Sequence, residues 1–218
     1  MTGVVCIVGK SNTGKTALIE RLIPEFKRRG YRVATIKHQA QGFEIDQPGK
    51  DSWRHAQAGS ECVILSSPQK LALVETVDHD LSLAELAQFL RGKFDLVLAE
   101  GFSKSHGFKI EVHRKDLGEL ICDPRELIAV VTDEHLELDT PHPLPQFSPE
   151  AIPELADLIE RKVIAQAKGE EVNIFADGKP IPLNPYLRGL FYKMIFDMVT
   201  SLKGVEEPKA INAWLRRR

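Results

Sequence analysis

Eight residues near the start of the chain have types and spacing that suit one kind of chemistry. Gly9-Lys10-Ser11-Asn12-Thr13-Gly14-Lys15-Thr16 fits G-x-x-x-x-G-K-[ST], the pattern of a loop that cradles a polyphosphate. Glycines at both ends permit a tight turn that points successive backbone N–H groups inward, where the positive end of the following helix also favours anionic oxygens. Lys15 would reach the β- and γ-phosphates, and the Thr16 hydroxyl would bind Mg2+. The candidate nucleotide-binding residues are Gly9, Asn12, Thr13, Gly14, Lys15, Thr16 and Ala17.

A second stretch offers matching chemistry. Asp95-Leu96-Val97-Leu98-Ala99-Glu100-Gly101 is an apolar run ending in a carboxylate, which in phosphate-loop proteins holds Mg2+ or polarises the attacking water. Thr16 and Glu100 are therefore the candidate metal ligands. Asp46 and Asp51, in a polar segment from Lys37 to Gly59, join Glu100 as candidate catalytic acids that arrange metal or water. Plainer roles stay open there, with Asp51 as the cap of a short helix through Trp53 and Ala58, and His38 as an ordinary loop residue.

The elements that would position these groups follow from periodicity. Val4 to Val8 is a continuous apolar run suited to a buried parallel strand, and Leu18, Ile19, Leu22, Ile23 and Phe26 recur at helical spacing after the loop. Lys27 to Arg29 suit the last turn of that helix, Gly30 ends it, and Pro24 inside it predicts a kink. Tyr31 to Lys37 reads as the second strand, which puts the polar segment after it at the carboxyl edge of a parallel sheet. Glu61 to Ser66 and Lys70 to Glu75 read as a hairpin or as paired edge strands. Ser82 with Glu85 forms a capping box before a short helix ending at Gly92. Phe108 to His113 and Leu127 to Val131 read as further strands. No Asn-Lys-x-Asp follows the last of these, so the base is not specified by that route.

Four prolines from Pro141 to Pro149 predict a rigid connector, with Ser148 and Pro149 opening a helix that runs to about Ala167. Lys168-Gly169 closes a nucleotide-binding domain over residues 1–168. Residues 169–218 form a small extension: a hairpin around Asp177-Gly178, a helix capped by Asn184, and a last short helix with Ile211, Trp214 and Leu215 before a solvated tail, Arg216 to Arg218. The fold class is α/β, a P-loop NTPase with a mostly parallel central sheet flanked by helices, plus this C-terminal hairpin and helix extension.

A chain of 218 residues that is 43% apolar can bury one sizeable core, and a net charge of −2 implies neither a general nucleic-acid surface nor an anionic-membrane surface. No apolar stretch approaches the ~20 residues of a membrane span, and the first strand begins without a basic leader, so a cytoplasmic protein is expected. Cys6, Cys62 and Cys122 lack the spacing of a metal or redox motif; two buried strand thiols and one loop thiol are expected.

Several blocks taken together are similar to a known family. The phosphate loop, then Thr35-Ile36-Lys37-His38, Asp46-Gln47-Pro48-Gly49-Lys50-Asp51-Ser52, Ala58-Gly59, Leu98-Ala99-Glu100-Gly101-Phe102 and Lys109-Ile110-Glu111 resemble the molybdopterin-guanine dinucleotide biosynthesis protein B (MobB) family over residues 1 to about 168. The resemblance implies a fold of the signal-recognition-particle and MinD kind, GTP and Mg2+ binding, slow hydrolysis and a homodimer. It also implies association with the nucleotidyltransferase that joins GMP to molybdopterin. By carry-over, Gly14, Lys15 and Thr16 hold phosphate and magnesium, and Asp46, Asp51 and Glu100 stand where the family has site acids. The expected function is a GTP-binding accessory protein of molybdenum-cofactor biosynthesis. A small-molecule P-loop kinase and a nucleotide-gated adaptor without turnover are the alternatives.

Overall fold

The computed structural model describes residues 2–90, 92–167, 172, 174–176, 179–205, 208 and 211. In chain order these form β1 (Gly3–Val8), α1 (Lys15–Arg28), β2 (Val33–Lys37), α2 (Asp51–Gln57), β3 (Cys62–Ser66), β4 (Leu71–Glu75), α3 (Leu83–Gln88), β5 (Leu96–Glu100), β6 (Phe108–Val112), β7 (Leu127–Val131), β8 (Gln146–Phe147) and α4 (Ile152–Ile159). A π-helical turn (Glu160–Ile164) carries α4 into α5 (Ala165–Ala167), and β9 (Ile174–Ala176), β10 (Lys179–Ile181) and α6 (Pro185–Thr200) follow.

Six strands build one sheet in the order β2-β5-β1-β6-β7-β8, and all five pairings are parallel. Parallel strands need crossovers that cover both faces, and β1, β5 and β7 accordingly read as unbroken apolar runs rather than as alternation. One face presents Val5, Ile7, Leu98, Ile110 and Val131 to Leu22 and Phe26 of α1 and to Leu155 and Ile159 of α4. The other presents Cys6, Val8, Ala99 and Val130 to Leu83 of α3 and to the loop residues Cys122 and Leu136. Strand order turns back across β1, with β5 and β2 to one side and β6 to β8 to the other. Such a reversal is where open α/β sheets bind ligands beyond the strands' carboxyl ends.

Ionic contacts fasten α1 to α4 and its π turn. Arg29 reaches Glu25 at 2.7 Å, Asp157 at 2.6 Å and Glu160 at 2.9 Å, and the Tyr31 hydroxyl donates to Glu160 at 2.5 Å. The guanidinium groups of Arg28 and Arg29 hold the Glu25 carboxyl down at about 2. Helix α1 passes through Pro24 without a break; that residue is exposed, so the Glu20 carbonyl it leaves without an intrahelical donor lies where water reaches it.

Several local expectations are corrected. Helix α4 is capped by Ala151 rather than Ser148, with Pro153 in its first turn. Lys50, not Asp51, caps α2, and Asp51 is its first residue. Cys122 is buried and Cys62 exposed, because β3 and β4 pair only with each other and stand apart from the central sheet. The capping box of Ser82 and Glu85 and the Asn184 cap of α6 both form. Lys168-Gly169, Asp177-Gly178, Trp214, Leu215 and Arg216 to Arg218 lie outside the described residues. Among the described residues no helix is long and apolar enough to cross a membrane.

Phe26 is 0% exposed and lies where α1, the sheet and the Tyr31 ring meet. Phe26→Ala is expected to cost about 3–5 kcal/mol of unfolding free energy, measured by denaturant titration. A cost below about 1 kcal/mol would mean that this face is not the principal core.

Candidate nucleotide-binding site

The loop after β1 takes its shape from backbone conformations that most side chains resist. Gly9 has φ 136°, Asn12 64° and Gly14 98°, and asparagine is among the few non-glycine residues that tolerate this region. A Cβ at Gly9 would fall 2.3 Å from the Val112 carbonyl oxygen, so the loop leaves β1 pressed directly against the end of β6. Thr13 is buried and its hydroxyl donates to the Lys10 carbonyl at 3.0 Å, bracing the turn from within. The Lys15 ammonium lies over the loop, donating to the carbonyls of Gly9 at 2.9 Å and Lys10 at 2.6 Å. Desolvation pulls the Lys15 pKa below its ordinary value, against the opposing pull of Glu100. Anionic oxygens bound beside it would restore the charged form.

On the β5 side the structure brings Thr16 and Glu100 together. The Thr16 hydroxyl donates to Glu100 Oε2 at 3.1 Å, and parallel pairing sets Glu100 beside Ile7 and beside Lys37 of β2. The Lys37 ammonium is 3.6 Å from Glu100 Oε1. Gly101, at φ 97°, donates its N–H to the Ile7 carbonyl at 3.0 Å and turns the chain so that Phe102 packs on the His38 ring. The His38 ring also meets Asp80 at 3.0 Å, giving it a packing and hydrogen-bonding role at the rim.

Oxygen donors of this kind suit Mg2+, which is commonly bound by one or two protein groups together with phosphate oxygens. No group of three or more His, Cys, Asp or Glu able to hold a metal occurs among the described residues, so a cation here would rest on Thr16, Glu100 and the phosphates.

Asp46 and Asp51 make their side-chain contacts within their own segment. Asp46 accepts from the Gln47 N–H at 2.8 Å and from the Ser52 hydroxyl at 3.1 Å, tying the preceding loop to α2. Asp51 is almost fully exposed, 3.9 Å from Arg54. Both line an open cavity of about 610 Å3 with Lys50, His55 and Ile64. Among the described residues no hydrogen bond or ion pair joins either acid to the phosphate loop or to Glu100.

Sequence reasoning gave the basic groups on the β6 side no binding role. Arg114 donates from Nε to the Thr13 carbonyl at 3.2 Å and lies 3.7 Å from Asp133, while the Lys10 ammonium donates to the Leu117 carbonyl at 2.5 Å. His113 is buried, with Nε2 donating to the Gly118 carbonyl at 2.8 Å and Nδ1 facing the Thr132 hydroxyl at 3.2 Å. A carbonyl only accepts, which fixes the proton on Nε2. The sequence carries one usable signal for this set: basic residues immediately after a strand that ends at the binding edge.

Comparison with known proteins bears on the whole arrangement. The family model described as "Molybdopterin guanine dinucleotide synthesis protein B" matches residues 4–133, more than half of the chain. The chain belongs to the MobB family. A Haemophilus influenzae relative named molybdopterin-guanine dinucleotide biosynthesis adapter protein is 40% identical over 156 residues, covering 71% of this chain and 85% of the relative. A Methanocaldococcus jannaschii relative, the putative adapter protein of the same name, is 28% identical over 232 aligned positions and covers 95% of both chains. The crystal structure of Bacillus subtilis MobB superposes with a TM-score of 0.58 at 30% identity, covering 74% of this chain and 98% of that one. The parallel sheet flanked by helices is thus the MobB fold, and α6 is an extra C-terminal helical region.

The tight approach at Gly9 yields a test. Gly9→Ala should destabilise the protein by about 1–3 kcal/mol through backbone strain, and should weaken triphosphate binding at least tenfold as the loop shifts off Val112. Gly30→Ala is the control: φ there is also positive, at 86°, but nothing lies within 4 Å of an added Cβ, so binding should be unchanged. Equal binding by both variants would show that the Gly9 contact does not shape the site.

Proposed function

We propose that this MobB chain is a GTP-binding adapter in molybdopterin guanine dinucleotide biosynthesis that hydrolyses GTP slowly with Mg2+. The observation that carries the reading is the Thr16 hydroxyl 3.1 Å from the Glu100 carboxylate at the mouth of a glycine-shaped loop. A hydroxyl at the start of a helix, a strand-end carboxylate and a lysine over the loop are the parts that phosphoryl transfer to water needs. The names of the relatives support the adapter role and the pathway.

In this mechanism, N–H groups at the start of α1 hold the β- and γ-phosphates, and Lys15 moves from the Gly9 and Lys10 carbonyls onto phosphate oxygens. Thr16 and Glu100 would hold Mg2+, which would supply positive charge against that developing on those oxygens. Glu100 also orients the attacking water. Asp46 and Asp51 are the other proposed site acids, which would join Glu100 in arranging metal or water.

The proposed partners are a second copy of the chain, the guanylyltransferase of the pathway and molybdopterin, with the protein acting in the cytoplasm. An exposed apolar surface supports an interface: Phe43 and Ile45 are 70% and 69% exposed, and Ile64 and Leu71 of the β3–β4 hairpin are 60% and 73% exposed.

Equilibrium binding of GTP and ATP with Mg2+, followed by phosphate release, tests this directly. GTP should bind at least tenfold more tightly than ATP and turn over slowly, and Lys15→Ala should abolish triphosphate binding with an unchanged unfolding midpoint. ATP preference, or brisk turnover that depends on an added small-molecule acceptor, would replace the adapter with a kinase. Unchanged affinity in Lys15→Ala would remove the loop from the site.

A further inference from the structure

We propose that Arg114 is a nucleotide-binding residue that takes the α-phosphate, on the side of the loop opposite the metal; this rests on the phosphate-loop assignment made above. The strand order settles which side. Strand β1 lies between β5 and β6, so Glu100, ending β5, and Arg114, two residues past the end of β6, flank the loop on opposite sides. Thr16 and Glu100 together mark the metal end, where the outer phosphates bind, and a cation on the far flank meets the part of the nucleotide next to the nucleoside.

The geometry places the guanidinium at the loop itself. Nε is held by the Thr13 carbonyl at 3.2 Å, and Nη2 would lie 3.5 Å from a Cβ built on Gly14, the residue just before Lys15. Asp133, from the end of β7, steers the other side at 3.7 Å and is itself held by the Lys115 N–H at 3.4 Å. The hydrogen bond to Thr13 uses one of five N–H donors, and the side chain is 48% exposed, so the fork keeps donors for a ligand while its stem is anchored. A planar, always-charged fork held this way suits bidentate contact with phosphate oxygens, which a lysine cannot reproduce. The backbone under it is fixed as well, by Val112 against Gly9 and by Lys10 on Leu117.

Equilibrium binding of GTP, GDP and magnesium pyrophosphate to the wild-type protein, Arg114→Ala and Arg114→Lys provides the test. GTP and GDP both carry the α-phosphate, whereas pyrophosphate fills only the outer positions. Arg114→Ala should weaken GTP and GDP by the same 10- to 100-fold factor and leave pyrophosphate unchanged, with Arg114→Lys recovering only part. Equal weakening of all three ligands would mean that Arg114 merely shapes the loop, and would overturn the proposal. So would a loss confined to GTP, a fall in turnover at unchanged affinity, or no change at all. Should Arg114→Ala not fold, Arg114→Lys is judged by the same ratios. A wild-type protein that binds none of the three would instead refute the phosphate-loop assignment.

Discussion

The parallel pairing of β1 with β5 on one side and β6 on the other is the constraint from which the site follows. Register fixes Ile7 beside Glu100 and Val8 beside Glu111, so three strands end together and deliver their next residues to one edge. Because β1 is almost wholly buried, slipping it by one residue would turn its side chains to the opposite faces of the sheet. The loop then has no room except against the Val112 carbonyl, where only glycine fits. Fold energy and ligand geometry are thus set by the same hydrogen bonds, and the loop need not be ordered by the ligand.

The face of the sheet away from α1 and α4 is held differently. It carries buried charge, and each charged group has a specific partner. The Glu111 carboxylate accepts from the N–H groups of Ile121 at 2.7 Å and Cys122 at 3.0 Å, and the Lys109 ammonium reaches Glu126 at 2.6 Å. Desolvating these groups is costly, and breaking either set would leave a buried charge unpaired. What they gain is placement: the chain from 114 to 126 is laid back over the sheet, which brings Gly118 to His113 and Leu117 to Lys10. Burial pushes the Cys6 thiol up to about 11, so it is a neutral packing group there rather than a nucleophile.

How much of this was legible in the sequence depended on whether the deciding physics was local. The phosphate loop, the hairpin, the capping box and the apolar strands are dictated within a few residues, and the family resemblance reached the MobB fold. The fates of Cys62 and Cys122 were not local. An apolar run predicts burial only if the strand joins the main sheet, and β3 does not, while the loop thiol is covered because Glu111 draws its backbone inward. Arg114 was legible only as an arginine after a strand, since its contact with Thr13, 101 residues away, is not local. Asp46 and Asp51 were legible as acids, but their orientation belongs to α2 and not to the loop.

The two flanks of the loop differ in how firmly they are built. On the β6 flank the backbone is pinned by Val112, Arg114 and Lys10, and His113 beneath it is buried with both ring nitrogens engaged. On the β5 and β2 flank the Glu100 carboxylate is held by a single hydrogen bond from Thr16 and a half-exposed ion pair with Lys37, each worth about 1 kcal/mol or less in water, while its carbonyl accepts from the His38 N–H at 3.1 Å. Beyond Lys37 the chain runs into the exposed segment with Phe43 and Ile45 and on to the hairpin. Under the proposed function, a third phosphate would exert its force at Thr16 and Glu100. A nucleotide-dependent change would then act on these side-chain contacts and so toward β2 and the hairpin, since the β6 flank is held at more points. If the chain acts as the proposed GTP-binding adapter, this asymmetry would serve it: one firmly held side to keep the nucleotide in either state, and one more compliant side to report which state it is in.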